Sequence, residues 1–197
     1  MPAFCVSVDE EIIVTVCTGG YDILSIQVSG TLIDQEFSKL NVTGGKYSGD
    51  EDTKHLIWVS EMPLRANQTV AVKMLSDSAT SFPGKTIDEL FPIDDPAETA
   101  DFKPTSEMFD ELRSKLKLRS RIAFHLKSSL DTNFVGHTAG EDHGFGFSIL
   151  WDTWRPESAR VSLHSYTLDS LQHRGPFSDH VKEELGIGDA VSLLLFA

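Results

Sequence analysis

The sequence predicts a mainly β protein of the α+β class. Two β-sandwich or barrel-like modules of antiparallel strands are expected, joined by an acidic linker and a central amphipathic helix, with a short helix before the last strand. Three observations lead there. Apolar residues recur with period two more often than with helical spacing, the strand-like runs before residue 77 have no long helix between them, and the alternation breaks at a Pro-containing acidic stretch and then resumes. The expected boundaries are 1–90 for an N-terminal β-rich module, 91–104 for the linker, and 105–197 for the helix and a C-terminal β-rich module.

Taken in order, Glu11-Ile12-Ile13-Val14-Thr15-Val16-Cys17 is β-branched and ends at a Gly19-Gly20 turn. From Asp22 to Gly30, Ile23, Ser25, Gln27 and Ser29 fall on one face and Leu24, Ile26 and Val28 on the other, the pattern of a half-buried antiparallel strand. His55 to Val59 and Thr69 to Leu75 continue it, with Asn67-Gln68 as a turn. Thr86-Ile87-Asp88-Glu89 reads as a capping box, in which the threonine hydroxyl and the glutamate each satisfy an orphan amide of a short helix that Pro92 stops. Residues 91–104 hold three prolines and four acids against one lysine. A second helix is expected from about Ser106, with Met108, Phe109, Leu112 and Leu116 as its stripe. Strands are then expected at Arg121 to Leu126, Phe145 to Trp151 and Arg160 to Tyr166, followed by a short Ser178-capped helix over Val181, Glu184 and Leu185 and a terminal strand from Asp189 to Phe196. Leu64-x-x-Asn67-Gln68-x-Val70 echoes Leu185-x-x-Gly188-Asp189-x-Val191, but any turn before a buried strand has this look, so the echo only hints at related modules.

Lys and Arg number 17 against 30 Asp and Glu, giving a formal net charge of −13, while 40% of residues are hydrophobic. That composition can bury a core. The acidity counts against nucleic acid and anionic membranes, because both must be met by a basic surface. Acid is densest in residues 86–111, at −8, and residues 112–127 reverse it to +6. Early acids and late bases on the central helix complement its dipole, so the basic run reads as a solvated helix end. Cys5 and Cys17 read as small buried hydrophobes in a reducing compartment. The first residues lack a basic region followed by an apolar one, and cytoplasmic residence is expected.

Three patterns bear on chemistry. Ala79 to Thr86 fits a relaxed phosphate-loop spacing, but Pro83 removes an amide where the phosphate nest would form and Ala79 replaces the first glycine, so it reads as coincidence. His137 and His143, with Glu141 and Asp142 between them in a Gly-rich loop, are candidate metal ligands. Gly144 and Gly146 alternate with Phe145 and Phe147, leaving one strand face open to close approach. No nucleophile motif accompanies them, so no catalytic residue and no cofactor are assigned.

The expected function is a non-enzymatic acidic protein-binding module, of the kind immunity proteins and antitoxins represent, that neutralises a basic partner protein by charge complementarity. Its candidate contacts are the linker acids Asp94, Asp95, Glu98 and Asp101, together with Trp151, Trp154 and Arg155. One of the two tryptophans is expected in the core and the other at the surface, where Trp and Arg are enriched in interfaces. The alternative is a small metal- or histidine-dependent enzyme using the His137 to His143 loop.

Overall fold

The computed structural model describes residues 1–47, 54–92 and 104–196. The elements run β1 (Ala3–Val8), β2 (Glu11–Cys17), β3 (Ile23–Thr31), β4 (Ser38–Lys46), β5 (Lys54–Leu64), β6 (Thr69–Leu75), α1 (Ile87–Leu90), α2 (Ser106–Ser114), β7 (Ala123–Ser128), β8 (Asn133–His137), β9 (Gly144–Asp152), β10 (Ser158–Tyr166), α3 (Leu168–Gln172), β11 (Ser178–Gly186) and β12 (Ala190–Phe196). The strands pair antiparallel into two six-stranded sheets, ordered β2-β1-β6-β12-β7-β8 and β11-β10-β9-β3-β4-β5. The protein is therefore mainly β, as the alternation predicts. Each sheet takes three strands from either side of the linker, and the inward faces meet in one apolar cluster that includes Phe4, Phe124, Ile26, Phe147, Leu163 and Leu193. No helix among the described residues is long and apolar enough to cross a membrane.

The two halves are related by a pseudo-two-fold axis. Strands β1 to β6 occupy the places that β7 to β12 occupy after rotation, and the axis crosses one sheet at the Ala71–Ser192 pair and the other at Gln27–Ser148. Both pairs join residues 121 positions apart in the chain. The hydrogen bonds repeat at that offset. Met74 N–H donates to Asp189 O at 2.9 Å and Leu195 N–H to Gln68 O at 3.2 Å, while Asp22 N–H donates to Gly45 O and His143 N–H to Tyr166 O, both at 2.8 Å. Arg65 N–H bonds Gln68 Oε1 and Gly186 N–H bonds Asp189 Oδ2, each at 2.8 Å. Asn67 (φ 70) and Gly188 (φ 97) occupy the same left-handed corner, which glycine and asparagine tolerate best. The echo of Leu64 to Val70 in Leu185 to Val191 thus marks equivalent turns, β5–β6 and β11–β12.

Several elements differ from expectation. Ser178–Gly186 is a strand, not a capped helix; the short helix lies earlier, at α3, where Thr167 and Ser170 form the capping box. The Thr86 and Glu89 capping box forms as the sequence predicts. Helix α2 ends at Ser114, leaving Leu116 85% exposed beyond it rather than on its stripe. The basic run that follows is mostly exposed, as the sequence suggests, and two of its residues also brace neighbouring loops. Lys117 Nζ donates to Gly140 O at 2.7 Å and Asp142 O at 2.6 Å, and Arg119 donates to Thr31 O at 2.5 Å and lies over the Phe37 ring. Cys5 and Cys17 are free thiols, and both are partly exposed rather than buried.

The phosphate-loop-like segment is a structural strap. Ser81 exchanges bonds with Thr15 on β2, Thr80 Oγ1 accepts from Cys17 N–H, and Lys85 pairs with Ile57 on β5, so residues 80–85 bind an edge of both sheets. The glycines of β9 serve the close approach their pattern suggests, and the approaching groups come from β10. Tyr166 lies over Gly144 and His164 over Gly146, where any Cβ would stand 2.5 Å and 2.8 Å from those side chains. His164 in turn stacks flat on Phe177, centroids 4.8 Å apart.

Candidate functional site

The turn after β9 presents the most exposed aromatic ring among the described residues. Trp151, the last inward residue of β9, is 3% exposed in the core, and its indole N–H donates to Pro156 O at 3.0 Å. That burial removes Trp151 from the surface contacts the sequence suggested. Trp154, three residues on, is 85% exposed.

Asp152 holds the turn that presents it. Its side chain is 8% exposed, and Oδ1 accepts from Trp154 N–H at 3.1 Å and Arg155 N–H at 3.2 Å, an Asx arrangement that fixes the backbone. Oδ2 takes the Arg160 guanidinium at 2.7 Å. On the flanks, Thr153 N–H donates to Asp22 O at 3.0 Å, and Arg155 reaches Glu184 Oε1 at 3.3 Å. Ser158 and Arg155 together hold the Glu184 carboxyl below its usual range. The Asp152→Ala change is expected to cost about 1–3 kcal/mol, since it removes the nearly buried carboxylate that Trp154 N–H and the Arg160 guanidinium bond, while Arg155 N–H keeps Asp152 O as acceptor; urea denaturation checks this.

Beside Trp154 lies an open depression of about 230 Å³ lined by Asp22, Ile23, Tyr47 and Thr153. Tyr47 is 44% exposed, its N–H donates to Asp22 Oδ2 at 2.6 Å and its hydroxyl meets His55 Nδ1 at 2.6 Å. Partial burial pushes the Tyr47 phenol up from its usual value. Trp154 and Tyr47 thus both line this depression, at one end of the β3-β4-β9 surface. Of the residues of this turn and depression the sequence singled out Trp151, Trp154 and Arg155. Tyr47 comes from a chain position more than a hundred residues away, with no local signal to join it to Trp154. The linker acids Asp94, Asp95, Glu98 and Asp101 lie outside the described residues.

The histidine loop forms no ligand set among the described residues. His137 Nδ1 bonds the adjacent Thr138 O at 2.8 Å, Asp142 is 2% exposed with its carboxylate on Ala139 N–H at 2.6 Å, and His143 sits against Leu168 N–H. No three of His, Cys, Asp and Glu gather around a common point there or elsewhere among those residues. The structure therefore does not bring His137 and His143 into one metal site.

Burial instead lowers three imidazoles. His143, His164 and His180 are each held below the usual histidine value chiefly by desolvation, with Lys117 adding to the effect at His143. The unfolded chain takes up protons near pH 6.5 that these folded rings refuse. Stability is thus full above about pH 6.5 and lost as pH falls through the lowered values. Melting temperatures between pH 7.5 and 5 are expected to fall, and His164→Phe, which keeps the stack on Phe177, to flatten that fall.

No protein-family model, curated protein or solved structure compared with the chain matches it.

Proposed function

We propose that this chain is a non-enzymatic protein-binding module that engages a basic partner protein, with Trp154 as its aromatic anchor. The observation that carries the reading is a tryptophan 85% exposed on a turn whose backbone is fixed by a nearly buried aspartate. Leaving an indole in water forgoes its burial, about 1.5–3 kcal/mol for a large apolar side chain, and a protein surface recovers it. Because the turn is already ordered, docking immobilises little that was free. Tyr47 and Arg155 beside it are the other residue types that concentrate binding energy.

Charge supplies the partner's sign. A net charge of −13 speeds encounter with a cationic surface and repels acidic competitors, the mode of action expected of an immunity- or antitoxin-type protein. The test is affinity capture from source lysate with wild type and with Trp154→Ala, followed by association kinetics of the recovered protein. A stoichiometric basic protein, retained by wild type and lost by the variant, supports the proposal; recovery of equal amounts by both overturns the role of Trp154.

A further inference from the structure

The two halves treat their sheet edges differently. In the first half, Thr15 N–H donates to Ser81 Oγ and Ser81 N–H to Thr15 O, both at 2.9 Å, and Cys17 N–H donates to Thr80 Oγ1 at 3.0 Å. The chain's own strap therefore occupies the outward backbone groups of β2. The pseudo-two-fold puts β8 where β2 stands, with Val135 and His137 in the places of Thr15 and Cys17. In the β7–β8 ladder, Thr138 N–H donates to Ile122 O and Ser128 N–H to Thr132 O. The alternation of an antiparallel ladder then turns the backbone groups of Asn133, Val135 and His137 outward. Among the described residues nothing pairs with them.

An unpaired edge is a template for another strand, and proteins guard such edges with charge, bulges or covering segments. Strand β11 carries Asp179, Lys182, Glu183 and Glu184 and a bulge in its ladder, and β5 carries Lys54, Glu61 and the strap contact at Ile57. Strand β8, Asn-Phe-Val-Gly-His, has no charged residue and no proline, and its central Val135 is 64% exposed. Among the described residues it is the edge without a guard.

We propose that β8 pairs antiparallel with β8 of a second copy of this chain, about a two-fold axis at Val135, joining two six-stranded sheets into one of twelve. An isologous contact of this kind is closed by its own symmetry. In that register Val135 stands opposite Val135 and Asn133 opposite His137, so the outward N–H and C=O groups of all three residues are paired. The nearest acid along the strand, Asp131, comes opposite Ala139, and no carboxylate faces another. Self-pairing of β11 would instead set a strand with three carboxylates against itself.

The net charge of −13 per copy opposes approach at long range, and salt screens it, with a Debye length of about 10 Å at 0.1 M and about 3 Å at 1 M. Self-association is thus strengthened by salt, whereas docking of a basic partner is weakened by it, so either reading can fail without the other. Sedimentation velocity of the purified protein alone, from micromolar to millimolar, is the test. The mass is expected to rise from 21.8 kDa toward twice that, at lower concentration in high salt than in low. Val135→Pro removes an outward N–H without touching the β7 ladder, and Val135→Lys puts like charges on the axis. Both are expected to weaken the dimer by at least about tenfold at wild-type melting temperature, and Val135→Lys carries the test should the proline variant fold poorly. In the concentrated wild type the Val135 and His137 amides gain protection from hydrogen exchange. A mass of 21.8 kDa at every concentration and salt overturns the proposal. So does a dimer that both variants leave intact.

Discussion

The Phe124→Ala variant is expected to lose about 3–5 kcal/mol of unfolding free energy, the largest single effect considered for this molecule. Phe124 is fully buried on β7, and its ring centroid lies 6.2 Å from Phe134, 6.0 Å from Phe145 and 5.1 Å from His180. It therefore ties β7 and β8 of one sheet to β9 and β11 of the other, on the side of the sandwich away from the residue 80–85 strap. The residues around it are held by strand pairing and cannot collapse fully into the space a benzyl group leaves. Urea denaturation reads the loss as a lower midpoint at unchanged slope. Leu116→Ala, at a site 85% exposed, is the matched control with no expected change.

Trp154→Ala is expected to weaken partner binding by about 2 kcal/mol or more, roughly 30-fold, while leaving the melting temperature unchanged. The separation of the two readouts is the informative part. A ring 85% exposed contributes little to folding, so any loss of affinity belongs to the interface. Asp152→Ala should lose affinity as well, but together with stability, because it acts through the turn rather than at the contact. Equal affinity for wild type and Trp154→Ala, measured by calorimetry, would remove Trp154 from the binding surface.

How much of this was legible in the chain depends on how local each signal is. The faces of β3 follow the sequence residue by residue, and the capping box at Thr86 and Glu89 forms as read, because alternation and caps are decided within a few positions. Strand β11 differs from the expected helix for a physical reason. Val181 and Leu185 are four apart, a spacing that brings residues to one face in a helix and in a strand alike, and Ser178 served equally as cap or strand start. Strands β4 and β8 carry little sequence signal because Gly44, Gly45 and Gly136 look like loop residues; in β8, the glycine leaves room for the neighbouring Phe134 and Phe124 rings. The sharing of both sheets between the halves is long-range pairing, and the β5–β6 and β11–β12 turns were its only trace in sequence. The site divides the same way. Trp154 stood out by composition and neighbourhood, and its Asp152 anchor lies two residues before it, whereas Tyr47 meets it only through the fold.

Docking of a basic protein on an acidic surface anchored by Trp154 is best tested by the association rate constant of the recovered partner as a function of ionic strength. The rate is expected to fall steeply from low to high salt, with dissociation changing far less, since steering acts on encounter and the Trp154 contact on retention. An association rate that is flat across that range would contradict it.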